Sequence, residues 1–379
     1  MSAPLVSSLR LVDFRNYASL GTRFEKPFVV FSGENGAGKT NLLEALSLLT
    51  PGRGLRRAAY REVARVGGTG GFAVRTTLTG EGGETEVATF ARPGEDGSLS
   101  RVVRIDDTED GGADALLDVL RVVWLTPAMD GLFTGPAGDR RRFLDRMVLS
   151  VDPAHGRRSL DYEKAMRGRN RLLGEARLDE VWLSGLEAQM AELGVAIHRA
   201  RAELVSRLGA EATRAGADAP FPTADLQLAG GYDFEDPSAA LPDLVAEVRT
   251  RLAKARWRDR AAGRTLEGPH RGDLLVTHRA KAMPAEKSST GEQKALLIGL
   301  VLAHAGLVAA LSGLPPVLLL DEIAAHLDPG RRAALFDLVG GLGGQAFMTG
   351  TDAALFEALG ERADHFDVSD GRLACRTSP

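Results

Sequence analysis

Two motifs near opposite ends of this 379-residue chain constrain its fold more than anything else in it. The first, Gly33-Glu34-Asn35-Gly36-Ala37-Gly38-Lys39-Thr40, matches G-x-x-x-x-G-K-[ST]. It lies between an apolar stretch, Phe28–Phe31, and helical apolar spacing over Asn41–Leu49. In that context the glycines let backbone N–H groups wrap phosphates, Lys39 neutralises charge on the β- and γ-phosphates, and Thr40 ligates Mg²⁺. The helix N-terminus adds the positive end of its dipole. The second motif, Pro316-Val-Leu-Leu-Leu-Asp321-Glu322, is a continuous apolar run closed by two acids, and it predicts a parallel strand buried on both faces. Asp321 would hold the metal through water, and Glu322 would orient and deprotonate an attacking water. Adjacent acids at the end of an apolar strand are costly without a cation or solvent to compensate them. A chain carrying both motifs is expected to join its two ends in one α/β core, with whatever lies between inserted.

The intervening sequence fits this plan. Leu5–Phe14 and Phe24–Phe31 predict strands. Residues 67–118 are Gly-rich, with short alternating pieces, and predict an antiparallel layer with turns at Gly80–Gly83 and Pro93–Gly97. From about 139 the pattern becomes helical. Leu186, Met190, Leu193, Ile197, Ala200, Leu204 and Leu208 form an apolar stripe of about three heptads, long enough to pack on a neighbour and too short for an extended coiled-coil arm. Residues 216–242 read as loop and Leu241–Arg260 as helix; Arg331–Val339 and Gln345–Thr349 predict a further helix and strand. The expected division is an ATPase core from 1–130 and 265–379, with a helical arm domain at 131–264.

Composition removes several classes. Cys375 is the single cysteine, which excludes an internal disulfide framework and fits a reducing cytosol. The apolar runs fall short of the ~18 residues of a membrane span, and the first residues do not resemble a secretion signal. No His/Cys cluster has zinc spacing. The net charge of −4 gives no argument for nucleic acid, but its distribution does. Residues 81–118 are net −8, whereas 140–171 and 249–264 are each net +6. Such arginine groups can bind phosphate locally; a solvated helix face is the competing reading.

Ser288-Ser289-Thr290-Gly291-Glu292-Gln293-Lys294 precedes the expected helix Ala295–Ala310. A small polar turn opening a helix offers a hydroxyl and free N–H groups to an anion, and also serves as an ordinary N-cap. Its place before Asp321 resembles the signature motif of ABC-type ATPases. That resemblance implies that Ser289 and Gly291 meet the γ-phosphate bound by a partner subunit. Ala324-Ala325-His326-Leu327-Asp328 resembles the D-loop at such an interface. Departures are the Ser-Thr-Gly-Glu-Gln wording and a missing switch histidine, for which Thr349 and Asp352 are the candidates.

The match becomes specific in Leu11-Val-Asp-Phe14-Arg15-Asn16-Tyr17, in the P-loop continuing through Asn41-Leu-Leu-Glu44, and in Gly52-Arg53-Gly-Leu-Arg56. It continues in Trp124-Leu-Thr-Pro127, Arg141-Arg142-Phe143-Leu144-Asp145, Tyr162 through Arg171, and Gly268-Pro269-His270-Arg271-Gly-Asp273-Leu. Along nearly its whole length the chain resembles the RecF family of bacterial DNA replication and repair ATPases. The resemblance implies an ABC/SMC-like head without a long coiled coil, with Arg15, Asn16 and Asn41 joining the P-loop around the nucleotide and Asp328 at the subunit interface. It further implies a cytoplasmic, slow, DNA-dependent ATPase that uses Mg²⁺, dimerises on ATP and binds double-stranded and gapped DNA. It would work with RecR and RecO to load RecA in recombinational repair and the SOS response, with no membrane partner. Arg141, Arg142, Arg167, Arg169, Arg256 and Arg258 are the candidate DNA contacts. Arg53, Arg56 and Arg57 could touch nucleotide, DNA or neither, and His270 and Arg271 could be structural or direct. The competing readings are the nucleotide-binding subunit of an ABC transporter, an SMC-like chromosome-organising head, and a clamp that holds ATP without hydrolysing it.

Overall fold

The computed structural model describes residues 4–94, 98–108, 112–214 and 219–376. The chain divides into two units. Met1–Asp130, Ala217–Pro222 and Lys294–Pro379 make the first, and Gly131–Gly216 with Thr223–Gln293 the second.

The first unit begins with β1 (Leu5–Phe14), β2 (Tyr17–Arg23), β3 (Phe28–Ser32) and helix α1 (Lys39–Ser47). The single-turn α2 (Tyr60–Val63), β4 (Phe72–Gly80), β5 (Gly83–Pro93), β6 (Leu99–Ile105), the single-turn α3 (Leu116–Val119) and β7 (Val122–Leu125) follow. The second unit contributes α4 (Ala137–Leu149), α5 (His155–Leu173), α6 (Glu180–Arg214), β8 (Ala224–Ala229), α7 (Leu241–Lys254), α8 (Arg256–Ala262), β9 (Asp273–His278) and β10 (Met283–Pro284). Helix α9 (Thr290–Ser312) leads back into the first unit, which ends with β11 (Val317–Leu320), α10 (Pro329–Gly341), β12 (Ala346–Gly350), β13 (Ala363–Ser369) and β14 (Arg372–Cys375).

Two sheets build the first unit. One is antiparallel, in the order β2-β1-β4-β5-β6. Alternation along its strands sends Leu9, Leu11, Val74, Val87 and Val103 inward. The β4–β5 hairpin turns between Gly80 and Gly83, as its glycines predict; the turn expected at Pro93–Gly97 lies partly outside the described residues. The other sheet runs β14-β13-β3-β12-β11-β7, parallel except for β14. Its central strand β3 is buried at every residue, the condition that a doubly covered parallel strand imposes. The strand expected from Phe24 starts only at Phe28, after Pro27. Phe24 instead packs edge-on to Phe347 and Phe366 in the core. One expectation is corrected here: the apolar runs do not all fall short of a membrane span, since helix α9 is long and apolar enough to cross one, with mean hydropathy 2.2 over its best window, but 61% of that window is buried inside the protein. Core burial therefore accounts for its composition.

In the second unit α5, α6 and α7 pack around Tyr162, Met190, Val195, Ile197, Leu244 and Val248. The α6 stripe supplies Met190 and Ile197 to that cluster, with Leu186 and Leu193 packed against it, and stays buried through Leu204 and Leu208. Three expectations change here. Residues 216–242 contain strand β8, which pairs antiparallel with β9 over six residue pairs. That pairing places 265–293 in the second unit and not in the ATPase core. The expected helix Leu241–Arg260 is two helices, meeting at Ala255.

Candidate functional site

β3 delivers the Gly33–Thr40 loop from its carboxyl end, and β11 delivers Asp321 and Glu322 from the same end of the sheet, with β12 between them. Ligands of open parallel sheets bind at this edge, where loops leave the strands. All three glycines of the loop have positive φ, and at two of them a Cβ would also collide with its surroundings. Gly33 has φ +151°, and a Cβ there would collide with the Val368 carbonyl oxygen. Gly38 has φ +112°, and its Cβ would lie 2.5 Å from Asn16 Nδ2. Lys39 is buried, and its ammonium donates to the carbonyls of Gly33 (2.6 Å) and Glu34 (2.9 Å). Burial lowers its pKa, and the charges of Glu322 and Asp321 oppose that shift.

The acids are tied to the loop. Thr40 Oγ1 donates to the Asp321 carboxylate at 3.0 Å, across 281 residues of sequence. From the other side, Thr349 Oγ1 donates to Asp321 Oδ1 (2.7 Å) and accepts from the Glu322 backbone N–H (2.9 Å). Thr349 is fully buried. Its position follows from register: it pairs with Phe31 on β3, one residue beyond the Met348–Leu320 pair with β11. Glu322 sits at φ +51°, an unfavourable conformation for a residue with a Cβ. The Thr349 hydroxyl thus fixes the backbone that aims Glu322. Asp352, the other candidate for the switch position, caps the turn after β12 by accepting from the Ala354 N–H.

The β1–β2 hairpin supports the loop from outside. Its tip residue Arg15 has φ +52° and grips Glu44 with two guanidinium nitrogens, at 2.8 and 2.6 Å. Glu44 is fully buried and also takes Arg56 at 2.6 Å. Asn16 donates to the Ala37 carbonyl (3.2 Å) and accepts from Asn41 (2.7 Å). Tyr17 Oη donates to the Gly38 carbonyl at 3.1 Å. Sequence reasoning has no role for Tyr17 or Glu44 and leaves Arg56 open between nucleotide, DNA and neither; Arg56 here bonds Glu44 and Asn41, each at 2.6 Å. Glu44 could have been suspected, because it is an acid on the apolar face of a helix.

The RecF/RecN/SMC N-terminal domain matches residues 5–371. The DNA replication and repair protein RecF of Mesorhizobium japonicum is 61% identical over 368 residues, covering 97% of each chain. That of Rhizobium johnstonii is 59% identical over 370 residues, 97% of this chain and 98% of its own. This chain belongs to the RecF family. Its fold is that of the recombination mediator protein RecF solved with ATP (TM-score 0.86, 22% identity, covering 99% of this chain and 98% of that one). An Smc head domain from Pyrococcus furiosus shares the fold at TM-score 0.54 and 16% identity, covering 99% of this chain and 96% of that one.

In this RecF-family chain the remaining sequence candidates are placed as follows. Ser289 and Glu292 form a capping box at the start of α9. Ser289 N and Oγ each donate to Glu292 Oε2 at 3.0 Å, and Glu292 also pairs with Lys281. These donors lower the Glu292 pKa to about 2, with the Lys281 hydrogen bond contributing most. Gly291 is exposed in the first turn, with open space around it. Asp328 caps α10 by accepting from the Arg331 N–H (2.9 Å).

The arginine candidates separate into two kinds. Arg142 and Arg167 are exposed and, among the described residues, form ion pairs only with neighbours on their own helices. Arg258 is exposed and has no ion pair among the described residues. Arg141 is half-buried, bonded to the Gly272 carbonyl at 2.9 Å. Arg169 is not a surface residue at all. It is fully buried and bonded to Glu187 (3.0 Å), Asp259 (2.7 Å), Thr265 (3.0 Å) and the Leu252 carbonyl (2.8 Å). Arg256 joins the same cluster through Glu187 at 2.7 Å and Ser184 at 2.9 Å. As DNA contacts, Arg169 is ruled out by enclosure, and Arg256 is already committed to a buried acid.

Proposed function

We propose that this chain is a DNA repair ATPase that closes as a homodimer on ATP and Mg²⁺. In this reading it binds double-stranded DNA beside single-strand gaps in the cytosol, and helps RecR- and RecO-type mediators load RecA. The observation that carries the reading is the bonded series Thr40–Asp321–Thr349–Glu322, which joins a phosphate-binding loop to a water-activating acid. The names of relatives at 59–61% identity, DNA replication and repair protein RecF, support the setting.

The oxygens of Thr40 and Asp321 suit a hard divalent cation, which when bound would neutralise charge on the β- and γ-phosphate oxygens. The chain's own groups do the rest. The loop amides bind the phosphates, Lys39 neutralises them, and Glu322 takes a proton from the attacking water. The amides at the start of α9, around Ser289 and Gly291, would cap the γ-phosphate held by a second copy, with Asp328 near the same interface. ATP bound by two subunits favours the dimer over the monomer, and hydrolysis releases it. Arg142, Arg167 and Arg258 remain the arm residues available to DNA.

The test is binding to gapped duplex with and without ATP–Mg²⁺ at fixed salt, with mass read by light scattering. Wild type is expected to give an ATP-dependent, DNA-bound dimer that Lys39→Ala abolishes and Glu322→Gln traps. A protein that stays monomeric and ignores DNA in all three forms refutes the reading.

A further inference from the structure

The outer face of the antiparallel sheet carries charge that neither the nucleotide site nor the fold uses. Arg10 on β1 lies directly opposite Arg75 on β4. The same row continues through Ala88 on β5 to Arg104 on β6. Arg23 on β2 stands one row to one side, opposite Ser8. On the other side Arg92 covers the Phe90 ring at 4.6 Å. Arg10, Arg23, Arg75 and Arg92 are exposed, and none has an ion pair among the described residues. Arg104 pairs with Glu86 at 3.3 Å. Among the described acids of this stretch, Glu86 lies within β5, Glu81 and Glu84 at the β4–β5 turn, and Asp106 and Asp107 beyond β6.

Like charges directly opposite one another on a sheet are destabilising; neither Arg10 nor Arg75 has an ion pair among the described residues, and Glu86, diagonal to Arg75, pairs with Arg104. Three strand spacings separate Arg10 from Arg104, about 14 Å, which is the scale of a duplex groove. A guanidinium set of this kind suits phosphate oxygens. We propose that this face is a contact surface for the phosphate backbone of duplex DNA, additional to the arm arginines. The proposal rests on the DNA-binding reading above.

The test uses the full chain and the double variant Arg10→Ala/Arg75→Ala, with anisotropy of a labelled blunt duplex at 50 and 200 mM salt. Two lost phosphate contacts should reduce the slope of log K against log salt by about 1.8, so raising salt costs the variant about 12-fold less affinity than wild type. Affinity at 50 mM should fall, ATP turnover without DNA should hold, and the thermal midpoint should stay level or rise as repulsion is relieved. Should the double variant fail to fold, Arg10→Gln and Arg75→Gln singly should each reduce the slope by about 0.9. A wild type that does not bind duplex overturns the DNA reading and this surface with it. A wild type that binds, beside variants with unchanged slope, overturns this surface alone.

Discussion

Arg169→Met separates a structural arginine from a DNA contact. The substitution keeps most of the side-chain volume, so little cavity opens. It deletes four hydrogen bonds, to Glu187, Asp259, Thr265 and the Leu252 carbonyl. Glu187 retains Arg256 at 2.7 Å. Asp259 loses its guanidinium and keeps the Leu266 N–H at 3.2 Å, while only 1% exposed. Removing one partner of a buried pair costs about 3–5 kcal/mol. At about 2–4 °C per kcal/mol for a unit of this size, the midpoint of the transition reporting the second unit should fall by about 6–20 °C. Calorimetry and circular dichroism of the full chain measure it, with guanidinium titration as a second route. Adding Asp259→Asn removes the orphaned charge and should recover about 1–2 kcal/mol. A midpoint within about 2 °C of wild type, together with a large loss of DNA affinity, would refute the assignment of Arg169 to the interior of the fold.

Thr349→Val should lower single-turnover ATP hydrolysis by about 10–100-fold, because a hydrogen bond to a charged group contributes about 1.5–3 kcal/mol. ATP affinity should change little and Thr349→Ser should keep most of the rate; equal losses in the Val and Ser variants would exclude the hydroxyl as the cause. His198 supplies a pH prediction. Burial, assisted by the Arg201 charge, lowers its pKa to about 4, against ~6.5 in the unfolded chain. Between those values the unfolded state binds the proton and the folded state does not, so stability should decline as pH falls from about 6.5 to 4 and gain nothing from this group below that. Urea midpoints of wild type and His198→Gln across this range should converge toward the acid end; parallel curves would show that the residue is not titrating this way.

What could be read from the sequence was what is written locally. The P-loop carries its glycines, lysine and threonine within eight positions, and β11 announces burial through four consecutive apolar residues. What could not be read depended on partners distant along the chain. Arg169 looked like part of a basic run because its acids, Glu187 and Asp259, lie 18 and 90 residues away. β8 is Ala-Asp-Leu-Gln-Leu-Ala, a segment of low intrinsic strand preference. It is a strand because β9 pairs with it, and that pairing also moved 265–293 out of the expected core. Thr349 was visible as a candidate, but its bond to both acids needed the register of β12 between β3 and β11. The antiparallel sheet was expected from alternation, yet the row of arginines across it appears only once five strands are aligned.

The strand order also sets a timetable for synthesis. β3, with its five buried residues, leaves the ribosome early, while both of its neighbours, β12 and β13, are encoded more than 300 residues later. At about 5–20 residues per second, the interval before β13 is made is about 15–70 s. Until β12 is made, the strand that carries the P-loop has two open edges and neither of its partners in the sheet. The nascent N-terminal portion is therefore a natural client for chaperones, and a ribosome stalled before residue 346 holds a chain whose ATP site cannot close. Gain of nucleotide binding during translation would mark arrival of the last strands and the end of folding.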